Sequence, residues 1–389
     1  MEKLKAGVIG IGDISDVYLK NLLKYRDVIE LWGCASRGIQ KARKKAEQYG
    51  IPRCYASGDE LIADPEIDIV LNLTTPKVHY HYNKKALEAG KHVYSEKPLA
   101  ATFAEGKELL ALAEQNGKCI GCAPDTFMGG RLQTYRELVA GGKLGEIFGA
   151  TVTAVSRGAE WFHPNPAFFY QPGAGPLYDI GPYYITALLS LLGPVKKICA
   201  MKKTAENERV IERGPLRGQK IEVHPDVDTH VIANLEFVCG AVATVIMSFD
   251  VWDSELPRME IYGTKGTLCM KEPDPCDGPN LFGGDVLMRD RENYRWIGMP
   301  REQGAVETEW KKMPVRHGHN STSHEENSRG IGLVDMVYAI NEKREPRAGG
   351  AMALHTLEVM EGVIRSAKEG RYISMTTTFA IPDILSADI

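Results

Sequence analysis

Short apolar stretches alternate with amphipathic stretches along the first 123 residues of the chain. The apolar stretches are hydrophobic along nearly their whole length, which is typical of parallel strands that are buried on both faces. The pattern therefore predicts a doubly wound α/β fold. The predicted strands are 5–10, 29–35, 54–55, 67–73, 92–95 and 118–123, and the predicted helices are 17–23, 40–49, 59–63, 80–89 and 103–116.

The pattern changes after Asp125, where strands no longer alternate regularly with helices. Alternating polar and apolar positions there predict antiparallel strands. The predicted elements are strands at 149–158, 229–237, 241–251, 259–262 and 267–270, helices at 179–192, 332–341 and 350–368, and irregular segments at 278–284 and 317–324. We therefore expect two domains: a Rossmann dinucleotide-binding domain at 1–124, and a substrate-binding and oligomerisation domain at 125–389.

The first predicted strand ends in a glycine turn, Gly10-Ile11-Gly12-Asp13-Ile14-Ser15, which leads directly into a helix. In such a turn Gly10 allows the bend, Gly12 lets the backbone approach a pyrophosphate, and Ser15 replaces the third small residue at the helix packing point. Backbone amides at the start of the helix then favour the phosphates. We expect a dinucleotide site at Gly10, Ile11, Gly12, Asp13 and Ile14.

The end of the second predicted strand bears on the choice of coenzyme. An acidic residue there accepts from the ribose 2′-hydroxyl of NAD, whereas a small polar residue followed by arginine suits the 2′-phosphate of NADP. This chain has Ser36 and Arg37 at that place and no carboxylate. We therefore expect NADP, with NAD as the alternative coenzyme if Arg37 is only a solvated charge that stacks on adenine.

Two further strand ends carry polar groups at the same edge of the predicted sheet. Thr74-Thr75-Pro76 follows the fourth strand and His79 follows shortly after, so these residues contact the coenzyme or cap the next helix. Glu96-Lys97-Pro98 follows the fifth strand. Lys97 is therefore expected where strand ends border the ligand cleft of an open α/β sheet.

Several motifs occur in order along the chain: Gly10-Ile11-Gly12, Thr74-Thr75-Pro76, His79, Glu96-Lys97-Pro98 and Asp179-Ile180-Gly181-Pro182-Tyr183. With them the chain resembles the glucose-fructose oxidoreductase, inositol dehydrogenase and MocA family over nearly its whole length. The resemblance implies a C-terminal α/β domain with a large, mostly antiparallel open sheet that often mediates dimers or tetramers. It also implies NAD(P)-dependent oxidation or reduction of sugars, inositols and related polyols. Lys97 is then catalytic, and Thr74, Thr75, Pro76, His79, Glu96 and Lys97 border the coenzyme.

The family usually has histidine where this chain has Tyr183, although members that act on sugars and dihydrodiols are similar in having tyrosine. A tyrosine with a pKa near ~10 is a poor base unless a neighbouring cation such as Lys97 favours its ionised form. We expect Tyr183 to move the hydroxyl proton and Asp179 to orient the substrate or Lys97. The two residues could exchange roles, or Asp179 could serve only as the N-cap of the following helix.

A loop before this helix is dense in hydrogen-bonding and aromatic groups, namely Arg157, Glu160, Trp161, Phe162, His163 and Asn165. Aromatic faces and paired donors and acceptors suit a carbohydrate ring. Arg157, Trp161 and His163 are therefore candidate substrate residues, together with Asp125. The same composition is also typical of an Ω-loop that only packs a domain interface.

The composition and charge of the chain limit its expected partners and location. The 47 basic and 51 acidic residues give a net charge of -4 without a long block of one sign, which argues against nucleic acid or an anionic membrane as partner. No stretch approaches roughly 18 apolar residues, and Met1-Glu2-Lys3-Leu4 leads into a strand, so a cytoplasmic protein is expected. The eight scattered cysteines are typical of reduced core thiols. His317, His319 and His324 lie in a polar loop, and no metal site is expected.

The leading hypothesis is an NADP-dependent sugar or polyol dehydrogenase that forms a homodimer or homotetramer through its C-terminal sheet. A redox-neutral glycosidase that keeps NAD(P) tightly bound, as in some relatives, is the second hypothesis. A coenzyme-binding protein without catalysis is the third. The fold alone does not select the sugar.

Overall fold

The computed structural model describes residues 1–271, 281–292, 309–321, 323 and 326–386. By their contacts the residues form two units. The first contains Met1–Met128, Ser323–Glu361 and Thr376–Asp383, and the second contains Gly129–Thr322, Gly362–Met375 and Ile384–Ile389. The boundary at residue 124 stays a prediction about folding domains, whereas the contacts group two late segments of the chain with its N-terminal residues.

The first unit contains a six-stranded sheet. Its strands are β1 (Leu4–Ile9), β2 (Ile29–Ala35), β3 (Arg53–Tyr55), β4 (Ile69–Asn72), β5 (His92–Ser95) and β6 (Ile120–Cys122). They lie in the order β3-β2-β1-β4-β5-β6, and the neighbouring pairs are parallel. This confirms the predicted doubly wound fold. The strand order reverses between β1 and β4, and in such sheets ligands bind at the carboxyl ends of the strands beside that point.

The helices of the described chain are α1 (Ile14–Leu22), α2 (Ile39–Tyr49), α3 (Gly58–Ala63), α4 (Pro76–Glu88), α5 (Phe103–Gln115), α6 (Gly130–Ala140), α7 (Pro176–Asp179), α8 (Gly181–Leu192), α9 (Ile331–Glu342) and α10 (Gly350–Glu369). Helix α5 begins at a capping box, in which the Thr102 hydroxyl accepts from the Glu105 amide and the Glu105 carboxylate accepts from the Thr102 amide. Both amides would otherwise lack a partner at a helix start. None of the helices described above is long and apolar enough to cross a membrane.

The second unit contains a large, mostly antiparallel sheet, as the resemblance implied. The remaining strands are β7 (Ile147–Val155), β8 (Val195–Lys203), β9 (Glu208–Val210), β10 (Lys220–Glu222), β11 (His230–Phe237), β12 (Val242–Ser248), β13 (Met259–Gly263), β14 (Gly266–Met270), β15 (Val286–Asp290), β16 (Lys311–Met313) and β17 (Ile373–Ser374). Nine of them form the sheet β16-β15-β14-β13-β7-β12-β11-β8-β17, in which β7 and β12 are parallel. Strands β9 and β10 form a separate hairpin.

The two faces of this large sheet differ. In β11, Val231, Ala233 and Leu235 are buried, whereas Ile232 and Asn234 on the other face are exposed. Every residue of α8 is buried, and this helix packs against β7. The other face, which we call the open face, carries exposed apolar side chains on β8, β11 and β12. These are Met201, Ile232 and Val242, which are 77%, 38% and 56% exposed.

The predicted helix 179–192 is divided into two helices, which corrects the assignment of Asp179 as its N-cap. Asp179 is the last residue of α7, and Ile180 precedes the first residue of α8. Pro176 starts the earlier turn, and Pro182 has no N–H with which to continue a single helix across this point. Residues 281–284 and 317–321 are irregular as predicted. Residues 278–280, 322 and 324 lie outside the described residues.

Candidate functional site

The glycine turn after β1 has the conformation that dinucleotide binding needs. Gly10 has φ +95°, and a Cβ there would lie 2.6 Å from the carbonyl carbon of Leu73. The fold itself therefore requires glycine at this position. A Cβ at Gly12 would meet no atom within 4 Å among the described residues. Packing does not require Gly12, so close approach of a ligand phosphate to its backbone is the better explanation, and this fits a dinucleotide.

The rest of the turn places backbone at the start of α1. Ile11 is buried, Asp13 is exposed, and Ile14 is the first residue of the helix. The Ser15 hydroxyl donates to the Gly12 carbonyl over 2.6 Å, so this buried side chain holds the turn against the helix. Such a helix start attracts phosphate through its amides and dipole. The candidate residues Gly10 to Ile14 thus lie together in the turn and at the start of α1, with only the side chain of Ile11 buried.

Ser36 and Arg37 follow β2, next to the glycine turn. The Gly10 amide donates to the Ala35 carbonyl over 3.1 Å, which joins the two strand ends. Ser36 is half-buried, Arg37 is exposed, and the Ser36 hydroxyl lies 3.5 Å from the Gly38 amide. An exposed guanidinium beside a hydroxyl can bind a phosphate group. The coenzyme preference itself stays a prediction.

His79 has an internal role that the sequence left open. Its side chain is fully buried, with Nδ1 2.7 Å from the Pro98 carbonyl and Nε2 2.9 Å from the Thr74 carbonyl. Burial lowers the pKa of His79, so the neutral ring donates to one of these carbonyls at a time. The ring braces the ends of β4 and β5 against each other. Its burial gives no support to direct contact with a coenzyme.

Thr74 and Thr75 are placed differently. The Thr74 hydroxyl donates to Asn72 Oδ1 over 2.7 Å. Thr75 is at the N-cap of α4 but makes no side-chain capping bond, and Pro76 is the first helical residue. Both Thr75 and Pro76 are exposed at the carboxyl edge of the sheet. The structure therefore gives no support to side-chain capping by Thr75, and its contact with the coenzyme stays a prediction.

Lys97 lies in a turn that is fixed by the preceding carboxylate. Glu96 is only 8% exposed, and its Oε2 accepts from the Lys97 amide over 2.9 Å. Its Oε1 accepts from the Tyr18 hydroxyl of α1 over 2.8 Å. Burial and the charge of Glu96 raise the pKa of Tyr18 well above its usual value, which keeps the hydroxyl a donor. Glu96 was proposed from the sequence as a coenzyme contact. In the structure it connects the Lys97 turn to α1, the helix that begins at the glycine turn.

Asp125 is an interior residue, which argues against its predicted contact with substrate. Its side chain is 1% exposed, and Oδ2 accepts from the amides of Gly330 and Gly332 over 2.8 and 3.0 Å. Burial raises the pKa of Asp125 to about 6, although these two donors oppose the shift. The carboxyl group holds the start of α9.

Asp179 and Tyr183 lie on either side of the junction between α7 and α8. Asp179 is half-buried and Tyr183 is 6% exposed in the first turn of α8. Helix α7 begins after Gly175, where a Cβ would lie 3.0 Å from the Asp228 carbonyl oxygen. Asp228 lies two residues before the start of β11, whose first residue, His230, pairs with Ser248 at the end of β12. Gly175, which precedes α7, therefore lies at this end of the large sheet, and Asp179 and Tyr183 come shortly after it in the chain.

The predicted substrate loop is braced rather than loosely solvated. Arg157 donates to both carboxylate oxygens of Glu212, over 2.5 and 3.3 Å, and its guanidinium lies 3.5 Å from the ring centroid of Trp252. Trp161 is 36% exposed. The ring of His163 packs 5.1 Å and 5.5 Å from those of Phe168 and Phe169, the first of which is exposed.

A buried ionic network anchors this loop, and sequence reasoning missed its cation. Arg209 of β9 donates to Glu160 over 3.1 Å and to Asp250, and Tyr170 also donates to Glu160. Arg209 and Glu160 are 6% and 5% exposed, and Thr229 donates to Asp250 over 2.7 Å. Glu160, predicted as part of a loop dense in hydrogen-bonding groups, is thus an interior residue. No periodicity in the sequence of residues 208–211 marks Arg209 as buried.

Within the described residues, no group of three His, Cys, Asp or Glu side chains could hold a metal ion. His317 lies 2.9 Å from Glu137, and His324 and Cys276 lie outside the described residues. Burial raises the pKa of Cys119 and raises that of Cys122 well above its usual value. Such thiols stay protonated and are typical of structural cysteines.

Comparison with known proteins agrees with this geometry. Residues 4–123 match the family described as "Oxidoreductase family, NAD-binding Rossmann fold", and residues 132–269 match the GFO/IDH/MocA C-terminal domain. An uncharacterised oxidoreductase of Rhizobium meliloti is 30% identical over 89% of this chain and 98% of its own length. D-glucoside 3-dehydrogenase of Escherichia coli strain K12 is 30% identical over 49% of this chain and 54% of its own length. A solved structure of levoglucosan dehydrogenase, 19% identical, shares the fold with a TM-score of 0.80 over 97% of this chain and all of the other.

Proposed function

Because the chain belongs to the GFO/IDH/MocA oxidoreductase family, we propose that it is an NADP-dependent dehydrogenase of sugars or related polyols. One observation carries the proposal most strongly. The turn that holds Lys97 and the glycine turn Gly10–Ile14 lie at the same edge of one sheet, and Tyr18 and Glu96 link the two. A cation at that edge is positioned beside the surface that suits a dinucleotide.

The mechanism assigns each group a separate task. The glycine turn Gly10–Ile14, with Ser36 and Arg37, would hold NADP, which when bound would supply a nicotinamide ring able to exchange a hydride with a carbinol carbon. Tyr183 moves the proton of the reacting hydroxyl group, and Lys97 hydrogen-bonds the same oxygen. Asp179 orients the substrate or Lys97. Glu96 and Tyr18 act only by fixing the backbone of Lys97.

A substrate panel tests the function. Purified protein is given excess NADP or NAD together with sugars, inositols and glycosides, and nicotinamide absorbance is followed with time. Sustained formation of reduced coenzyme with one of these classes supports the dehydrogenase. The name of the D-glucoside 3-dehydrogenase relative makes glucosides the first substrates to try. Release of free sugar from a glycoside without net reduction would support the redox-neutral glycosidase instead.

Arg37 decides the coenzyme in this proposal. We expect Arg37→Ala to weaken NADP binding by about tenfold or more and to change NAD binding much less, because only NADP carries a 2′-phosphate for the guanidinium. Dissociation constants from fluorescence titration measure both. Lys44→Ala is the matched control, since this exposed cation lies on the following helix, α2, away from the strand end. An unchanged ratio of the two affinities would refute NADP specificity through Arg37.

We also propose that the protein forms a homodimer or homotetramer through the open face of the large sheet. Exposed Met201 and Ile232 are paired across β8 and β11, so they form one apolar surface. Exposed apolar surface of this kind is characteristic of interfaces. Ile232→Glu should reduce the molecular mass in solution, measured by size-exclusion chromatography with light scattering. Val210→Glu, on the separate hairpin and 47% exposed, should leave the mass unchanged. A monomeric wild type would contradict the proposal.

A further inference from the structure

A cavity lined by charged and aromatic side chains lies within the second unit, at the end of the sheet where β7 and β12 stop. Its volume is about 800 Å³, within the range of about 300–1,000 Å³ that is usual for small-molecule clefts. Its wall includes Arg157, Trp161, Glu212, Trp252 and Arg258. Among the described residues, neither Asp179 nor Tyr183 lines it. The cavity is therefore suited to a part of a ligand other than the reacting carbon.

The position of the cavity relates it to the candidate catalytic helix pair. The wall residues Arg157 and Trp161 precede α7 in the chain, with a short 3-10 helix at Pro166–Tyr170 between them. Helix α7 begins against Asp228, beside the start of β11. The start of β11 pairs with the end of β12, and residues 251–258 of the cavity wall follow that end. Both features thus lie at one end of the same sheet, within one unit.

The chemistry of the wall favours a neutral polyhydroxylated ring. Trp252 is 76% exposed, with the Arg157 guanidinium 3.5 Å from its ring centroid, and Trp161 offers a second aromatic surface. The carboxylate of Glu212 and the fork of Arg157 are held together in a fixed bidentate pair, which presents donors and acceptors side by side. Four basic and three acidic side chains line the described wall, so the cavity does not select strongly for an anion.

The wall is also rigid. The loop that carries Arg157 continues into Glu160, which is fixed by Arg209 and Tyr170. Glu212 lies in the connection between β9 and β10, and this hairpin packs Ile211 and Ile221 into a buried cluster with Tyr170. Preorganised donors and aromatic faces bind a ligand at a low cost in conformational entropy.

We propose that this cavity is a sugar subsite that binds the ring next to the one that is oxidised, so that the preferred substrates are disaccharides or glycosides. The proposal rests on the dehydrogenase function described above. Trp252 stacks against the second ring, and Arg157 and Glu212 hydrogen-bond its hydroxyl groups. A free monosaccharide occupies only the reacting position and binds more weakly.

The test measures binding by calorimetry with cellobiose, maltose and trehalose, and with glucose as reference. We expect at least one disaccharide to bind more tightly than glucose to the wild type. In Trp252→Ala the ratio of disaccharide affinity to glucose affinity should fall by about tenfold. Phe148→Ala, which removes another exposed aromatic ring of the same unit outside the cavity, should leave this ratio unchanged.

The outcomes separate this proposal from the dehydrogenase function. If monosaccharides are oxidised but none of the three disaccharides binds more tightly than glucose, the subsite is refuted and the dehydrogenase stands. If no sugar reduces the coenzyme but the ratio falls in Trp252→Ala, the subsite stands and the dehydrogenase fails. A lower molecular mass of Trp252→Ala in solution would assign the ring to contact between copies of the chain and overturn the subsite.

Discussion

Replacing Lys97 by methionine is expected to lower kcat by about 10²- to 10⁴-fold while the coenzyme still binds. Methionine keeps the length and apolar part of the side chain but removes the ammonium group. In the proposed mechanism the reacting oxygen then loses a hydrogen-bond donor. Steady-state kinetics on the best substrate of the panel measure the loss. Fluorescence titration shows whether coenzyme affinity is retained.

Lys107→Met is the control, because this exposed lysine lies on α5 and has no part in the proposed mechanism. Two further variants assign the proton-transfer group. Tyr183→Phe removes only the hydroxyl and keeps the ring in its buried position, so we expect a loss close to that of Lys97→Met. Nearly full turnover in Tyr183→Phe together with a large loss in Asp179→Asn would exchange their roles. Full activity of Lys97→Met would contradict the mechanism as a whole.

The largest effect on stability is expected for Arg209→Met, with a decrease of about 3–5 kcal/mol in the free energy of unfolding. The variant leaves the carboxylates of Glu160 and Asp250 without the guanidinium that both now bind. Arg209 and Glu160 are almost completely buried, so water cannot replace the lost partner. Urea unfolding followed by circular dichroism and by tryptophan fluorescence measures the change in the midpoint.

Lys220→Met provides the matched comparison on the same hairpin. Lys220 pairs with Glu208 over 2.7 Å, but both side chains are more than half exposed. Exposed pairs contribute about 0–1 kcal/mol, so we expect a small change. Equal destabilisation by the two variants would show that the buried network does not anchor the loop as inferred. In Arg209→Met we also expect faster proteolytic cleavage within residues 156–170, because that loop loses its internal anchor.

The buried network of Arg209, Glu160 and Asp250 is expected to affect both the free energy of unfolding and the binding of sugar in the cavity. Glu160 is held by Arg209, and three residues earlier in the same loop Arg157 lies on the wall of the sugar cavity. Arg209→Met should therefore weaken disaccharide binding as well as the fold, whereas Trp252→Ala affects binding with little change in stability. Disaccharide affinity and the free energy of unfolding, both measured in Arg209→Met and in Trp252→Ala, distinguish a residue that positions the cavity wall from one that contacts the sugar.

The sequence predicted the parts of the fold that depend on short-range order. Five of the six strands of the first sheet are short and mostly apolar, so their burial on both faces was readable from the sequence, whereas the edge strand β3 is partly exposed. The glycine turn was also predicted correctly, because the positive φ of Gly10 is a local property of the backbone that favours glycine. Helix α6 was missed for the opposite reason. Its residues 130–136 are all buried although many are polar, so it shows no amphipathic period.

The sequence by itself determined the doubly wound sheet, the position of Lys97 at a strand end and the family to which the chain belongs. Tertiary structure alone decided which polar residues face inward. Glu96, Asp125 and Glu160 are all carboxylates in turns or loops, yet each is buried by partners that lie 10 to 207 residues away. Periodicity reports only neighbours along the chain, whereas the burial of a charge depends on distant donors that compensate its desolvation.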